Sequence, residues 1–369
     1  MYKIAIIIPI HNTEKYLEKC LDNIINQTIG IENLQVIMVD DHSNDKSFEI
    51  MKKYSSNFEN FLSIYINDED TGAGVARNKG LEIAKGKYIM FCDSDDFYEL
   101  NSCELMFSEI EKQNTDFVTF NYRNADEDGE CWKEPVFDIG AYDNMKLNIM
   151  DYDKSLYLMN SSVCNKIFNR EFLLNNKIHF FYDGKPAEDA YFSMHAFLVS
   201  NINKGASYNK NIVYNYRLRN KTQSSLSNNL TSEFFLSSNE AYKEIFRLFK
   251  NFNQIEYYRY YFVKNLYYIL HKFIDAESLS EVEKIEILEK MRWLYELTIE
   301  FNIPIIPKSI DILIKNILEK KYQEVFDICK IIFEMKKYVS DEMKYIITEP
   351  TVELYKSISK TQIKNVPEI

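Results

Sequence analysis

Short, mainly apolar runs alternate, over the first 125 residues, with stretches in which apolar residues recur every third or fourth position. The runs are Ile4–Ile8, Leu34–Val39, Phe61–Ile66, Tyr88–Cys92 and Phe117–Phe120. A continuous apolar run bounded by polar residues fits a strand buried on both faces. Between the first two, Leu17, Cys20, Leu21, Ile24 and Ile25 fall on one helical face, with Asn12 or Thr13 placed to cap it. Ser43 is placed to cap a second helix with Phe48, Met51 and Tyr54 inward. Two more helices are expected around Val75–Ala84 and from Asn101 to about Gln113. Pro9 is expected to stop the first strand. Strands alternating with helices imply βαβ units and a mainly parallel sheet. Residues 124–150 have no clear period. The stretch from Gly184 opens as a loop and becomes a helix to Ser200, and Val213–Tyr216 reads as a strand. From Ser232 onward the period is helical throughout, with helices expected near 255–275, 281–300, 309–320, 322–338 and 341–358, broken at Pro304 and Pro307. This predicts an α/β domain over 1–230 and an all-α domain over 231–369.

Composition narrows the function. Asp and Glu exceed Lys and Arg by 12 over the 369 residues, by ten within residues 1–250 and by two beyond. An acidic chain lacks the basic face that a nucleic-acid partner requires. Six cysteines form no CxxC pair, which suits a reduced, cytoplasmic protein better than a disulfide framework or zinc site. The apolar run at the start is too short for a signal peptide, and no run approaches the ~20 residues of a spanning helix. Any membrane contact is expected to be peripheral, on the inner face.

The candidate chemistry collects at strand ends. Tyr88–Cys92 runs into Asp93-Ser94-Asp95-Asp96, and in an open α/β sheet the carboxyl edge is where ligands bind. Asp93 and Asp95 flank one serine, so a tight turn can aim both at a divalent cation on a phosphorylated ligand; a solvated acidic turn is the equal alternative. Pro9 and His11 after the first strand can wall a flat-ring pocket. A carboxylate of Asp40-Asp41 can accept from a ring imide or cap the next helix. Gly72-Ala73-Gly74 allows close backbone approach to a ligand, and Arg77 can reach a diphosphate.

The order and spacing of these segments carry more than any one of them. With Ile7-Ile8-Pro9-Ile10-His11-Asn12, Val39-Asp40-Asp41-His42-Ser43, Gly72–Gly80 and Phe91–Asp96, residues 1–220 resemble the family 2 glycosyltransferases of the GT-A (Rossmann-like) fold. The resemblance implies that Pro9, His11 and Asp41 bind the nucleobase, that Arg77 and Asp93 hold the nucleotide, and that Asp95 with Asp93 ligates Mn²⁺ or Mg²⁺ on the diphosphate. His11 stands where a tyrosine is common, and Asp70 where an asparagine is frequent, so Asp70 is left unassigned. Glu188-Asp189-Ala190-Tyr191-Phe192 resembles the acceptor-side motif, which makes Asp189 the catalytic base. A single base opposite the leaving group, without a protein nucleophile, implies inversion. Tyr214–Arg219 with Ser224 and Ser225 resembles the late segment from which Arg217 or Arg219 meets the diphosphate. The implied reaction moves a sugar from a nucleotide-diphospho-sugar, a UDP-sugar, to a hydroxyl of a glycan or lipid-linked acceptor in bacterial surface-polysaccharide assembly. A non-catalytic scaffold and a sugar nucleotidyltransferase are the alternatives; the latter lacks its expected glycine-rich loop in residues 9–20.

The resemblance stops before the helical part. Its stripe of Tyr257, Tyr258, Tyr261, Phe262, Leu266, Ile269 and Leu270 has the spacing of a core face. Acceptor binding, homo-oligomerisation and contact with a membrane through Lys315, Lys320, Lys321, Lys336 and Lys337 stay open, the last weakened by interspersed acids.

Overall fold

The computed structural model describes residues 2–66, 71–135, 145–147, 161–181, 187–200, 203–219, 230–303 and 308–336. The chain divides into two compact units, Met1–Gln223 and Ser224–Ile369. The first holds strands β1 Ile4–Ile10, β2 Leu34–Asp40, β3 Phe61–Tyr65, β4 Tyr88–Phe91, β5 Phe97–Tyr98, β6 Phe117–Ala125, β7 Cys131–Pro135, β8 Met145–Leu147, β9 Lys166–Asn169 and β10 Ala206–Arg217. Its helices are α1 Glu14–Ile25, α2 Ser47–Asn57, α3 Ala73–Ile83, α4 Ser102–Gln113, α5 Arg170–Asn175 and α6 Glu188–Ser200.

Strand order among the described residues is β3-β2-β1-β4-β9-β6-β10-β5, with β7 on β6 and β8 on β10. The first four strands in that order are parallel; β1, β2 and β4 are buried along their whole length, whereas β3 is buried only at Phe61. Beyond them the sheet is mixed: β9 runs antiparallel between β4 and β6, and β10 runs parallel to β6. All seven residues of β1 and of β2 are buried. Register sets Ile10 opposite Asp40, so the two chain segments leave the sheet side by side.

Pro9 does not stop β1; it pairs with Val39 inside the strand. Ile7 accepts from Cys92 N–H, and residues of equal parity face the same neighbour, so the N–H that Pro9 lacks would point where β4 has already ended. The caps also differ from expectation. Thr13 stands at the N-cap of α1 without a side-chain cap bond, and its own N–H donates to Ser47 Oγ. Ser43 lies ahead of α2 and its hydroxyl accepts from Asn12 N–H, tying the β1 exit to the β2 exit. β6 and β10 outrun their apolar cores, and β9 and α5 emerge from sequence without a readable period. Asn169 caps α5 by accepting from Phe172 N–H.

Helix α3 lies against β1 by way of Gly80. A Cβ there would stand 2.4 Å from Ile7 Cγ2, so only glycine lets the helix sit this close.

The second unit holds α7 Ser232–Asn251, α8 Ile255–Asp275, α9 Glu281–Lys290, α10 Arg292–Glu300, α11 Lys308–Leu318 and α12 Tyr322–Lys336. The stretch 281–300 is two helices, parted at Met291; the helix expected over 341–358, Pro304, Pro307, Lys337, Ser224, Ser225 and Asp70 lie outside the described residues. Ser280 and Glu283 form a capping box that starts α9. The aromatic stripe is core: Tyr258, Phe262, Leu266, Ile269 and Leu270 are buried, with Phe262 and Tyr258 packed edge-on to Phe301. Lys315, Lys320 and Lys321 pair with Asp311, Glu289 and Glu319. No helix among the described residues is long and apolar enough to cross a membrane.

Candidate active site

The parallel strands deliver their chemistry to one edge. At the β1 and β2 exits, His11 Nδ1 donates to the Asp41 carbonyl at 2.5 Å, and Asn12 Nδ2 donates to His11 Nε2 at 3.0 Å. That pair of bonds orients the ring, with Nδ1 turned to the carbonyl and Nε2 to the Asn12 amide. His11 is exposed and Pro9 is buried. Asp41 is buried, and its Oδ2 accepts from Gly72 N–H at 2.6 Å, at the start of α3. Gly72 has φ 111°, a backbone angle that suits glycine, and the helix dipole favours the carboxylate there.

Arg77, one turn into α3, is the hub. Its guanidinium is buried and donates from Nη1 to Glu188 at 2.9 Å and to Asp189 at 2.9 Å, and from Nη2 to Asp93 at 2.8 Å. Burial works against its charge, but Asp189, Asp93 and Glu188 more than offset that and hold its pKa well above the usual arginine value. Gly74 makes the approach possible: a Cβ there would stand 3.1 Å from Glu188 Cγ and 3.2 Å from Phe181 O. Asn78, a turn above, exchanges bonds with the Phe180 backbone and fixes α3 to the segment before α6.

Asp189 opens α6. Its side chain keeps 24% exposure. Loss of water around it pushes its pKa up to about 7; Arg77 pulls down, while Glu188 and Asp93 push up.

The acidic turn after β4 is pinned from β10. Tyr214 O–H donates to Asp96 Oδ2 at 2.7 Å and accepts from Asp93 N–H at 3.1 Å. Arg217 N–H donates to Asp96 Oδ1 at 2.7 Å. Asp96 is thus a buried strut, and its pKa is driven well up by burial and then by Asp95 and Asp93. Arg217 is buried; its side chain donates to the carbonyls of Asp95 and Glu127 at 2.7 and 2.8 Å and lies over Tyr16 and Phe97. Arg219 instead meets the Asp95 carboxylate itself, through Nε and Nη2.

The structure therefore brings Arg77, Asp93 and Asp189 into direct contact, Asp95 to Arg219, and Asp41 to His11 and Gly72, while Arg217 is taken up by backbone carbonyls. Glu188, Asp96, Tyr214 and Tyr16 enter the site without having been singled out as site residues. For Asp96 the run of three aspartates was a signal; for Tyr16, a lone aromatic on an amphipathic helix, none was available.

Asp93 and Asp95 fit a divalent cation. Both offer hard oxygens from one turn, and no group of three or more His, Cys, Asp or Glu that can cage an ion occurs among the described residues. That donor set suits an ion completed by ligand phosphates. Burial raises the Asp95 carboxyl, Arg219 lowers it and Asp93 raises it, with a net rise.

The mixed sheet and its flanking helices have the GT-A fold. The family model "Glycosyl transferase family 2" matches residues 5–173. The putative glycosyltransferase EpsH of Bacillus subtilis (strain 168) is 30% identical over 260 residues, 69% of this chain and 72% of that one. The poly(ribitol-phosphate) beta-glucosyltransferase of Bacillus spizizenii is 31% identical over 210 residues, 56% of this chain and 31% of that one. The chain thus spans about a third of that larger relative. The structure of S. aureus TarS 1-349 in complex with UDP-GlcNAc superposes with a TM-score of 0.66 at 20% identity, covering 89% of this chain and 90% of that one. The chain belongs to glycosyltransferase family 2.

Proposed function

We propose that the protein transfers a sugar, with inversion, from a UDP-sugar to a hydroxyl of a glycan acceptor, with Asp189 as general base. The observation that carries this reading is the Arg77 clamp, which holds Asp189 beside Asp93 from opposite parts of the chain. The donor lies along the β1, β2 and β4 exits. His11 offers its ring to the nucleobase and Asp41 a carboxylate to its edge, each already oriented by a protein hydrogen bond. A divalent cation held by Asp93 and Asp95 supplies counter-charge for the leaving diphosphate.

Asp189 takes the acceptor proton as the new glycosidic bond forms and the bond to the diphosphate breaks. A base with a pKa near 7 is matched to that task. Arg77 steadies the carboxylate and stabilises its charged form before transfer. No second carboxylate is needed as a nucleophile, which supports inversion. The acceptor class follows the relatives, among which is a poly(ribitol-phosphate) glucosyltransferase, and points to a polymer bearing free hydroxyls.

Asp189→Asn tests the reading. UDP affinity with Mn²⁺, measured by calorimetry, is expected to stay within about twofold, while transfer falls by about 10²–10⁴. Full transfer by that variant removes Asp189 as the base.

A further inference from the structure

Two arginines leave β10 within three residues, and they are placed differently. Arg217 is buried and fixed to the Asp95 and Glu127 carbonyls. Arg219 is 19% exposed, rests over the Tyr16 ring at 5.4 Å, and its polar partner among the described residues is the Asp95 carboxylate. Both of its bonds, from Nε and Nη2, end on the same oxygen, Oδ2. Those two N–H groups use both lone pairs of that oxygen. A cation that takes Oδ2 must break them. A cation on Oδ1 stands beside a like charge on the same carboxylate.

We propose that Arg219 and the divalent cation compete for Asp95, so that seating the cation displaces the guanidinium toward the donor's diphosphate. This rests on the metal role given to Asp95 above and adds an order to it: the arginine guards the carboxylate first and grips the anion second. Displacement is feasible because, among the described residues, Arg219 has one carboxylate to release and keeps part of its side chain exposed, whereas Arg217 is buried and fixed to two carbonyls. The released guanidinium stays next to the cation's other ligands, where a diphosphate offers the two-pronged acceptor it prefers. Tyr16 supports the ring-stacked position and is itself held by its hydroxyl on Glu127.

Calorimetry on the full chain separates the two roles of Arg219 by sign. In Arg219→Ala, Mn²⁺ alone is expected to bind about two- to fivefold more tightly, since an incompletely buried ion pair is a weak competitor. In the same variant UDP with Mn²⁺ is expected to bind about tenfold or more weakly, through loss of a charge-assisted contact. Arg219→Lys keeps the charge without the fork and should give Mn²⁺ affinity between the two. Unchanged or weaker Mn²⁺ binding in Arg219→Ala overturns the competition. Asp95→Ala tells which reading fails. If it abolishes Mn²⁺ binding while Arg219→Ala leaves it unchanged, the metal site stands and the competition falls. If Asp95→Ala binds Mn²⁺ like the wild type, both fall. Matching far-UV circular dichroism of the variants confines these outcomes to the site.

Discussion

Asp189 sits between two opposing demands. It must be ionised to accept a proton, yet loss of water raises its pKa to about 7 from an ordinary 3.8. Between those values the folded chain holds a proton that the unfolded chain has released, so this group's contribution to stability declines as pH rises across the window. Activity should move the other way. The profile of kcat/KM against pH is expected to climb about tenfold per unit below 7 and level off above it. A flat profile between about pH 5.5 and 8 would sink the assignment. The sequence singled out Asp189 through the Glu188–Phe192 segment. The clamp on it was not legible there. Arg77 reaches Asp93, Glu188 and Asp189 across 16, 111 and 112 residues, and no local pattern records such a meeting. The sequence likewise left Arg217 and Arg219 level. Burial separates them, and burial depends on where Tyr16, Phe97 and Glu127 arrive from other elements.

Elements show the same division. The parallel half of the sheet was legible because burial on both faces leaves largely apolar runs, unbroken in β1 and interrupted only by Gln35 over Leu34–Val39. β9 was not, because a four-residue strand beginning with a buried lysine, Lys166, has no period to read. Pro9 misled for a related reason: whether a proline ends a strand depends on the neighbour it faces, and that is a property of register. Gly80 allows a sharp test of the α3–β1 packing. In an open helix Gly→Ala stabilises by up to about 1 kcal/mol. Here the added methyl meets Ile7 Cγ2 at 2.4 Å, on a buried residue of a central strand whose branched side chain has no room to turn. Overpacking should win, and Gly80→Ala is expected to destabilise by about 1–3 kcal/mol, read as a lower urea midpoint. A raised midpoint would show that α3 yields instead.

At the scale of the whole chain, the candidate site residues all come from the first unit, between Pro9 and Arg219, and the second unit supplies a separate aromatic core. The spacing of Tyr258, Phe262, Leu266 and Ile269 was enough to foresee that core, because a wide apolar stripe on a helix must be covered. What the stripe could not convey was which of the surrounding charges remain available. Lys315, Lys320 and Lys321 turn out to be paired with acids of the same unit, which leaves them little net charge to offer an anionic surface. Phe262→Ala tests whether the helical core is needed for donor binding. Phe262 is fully buried, packs edge-on against Phe301 and neighbours Tyr258, so its truncation is expected to destabilise by about 3–5 kcal/mol, seen as a lower thermal or urea midpoint. Calorimetric affinity for UDP with Mn²⁺, measured well below that midpoint, should match the wild type. An affinity that falls together with the stability would mean that the helical core is needed to form the nucleotide site.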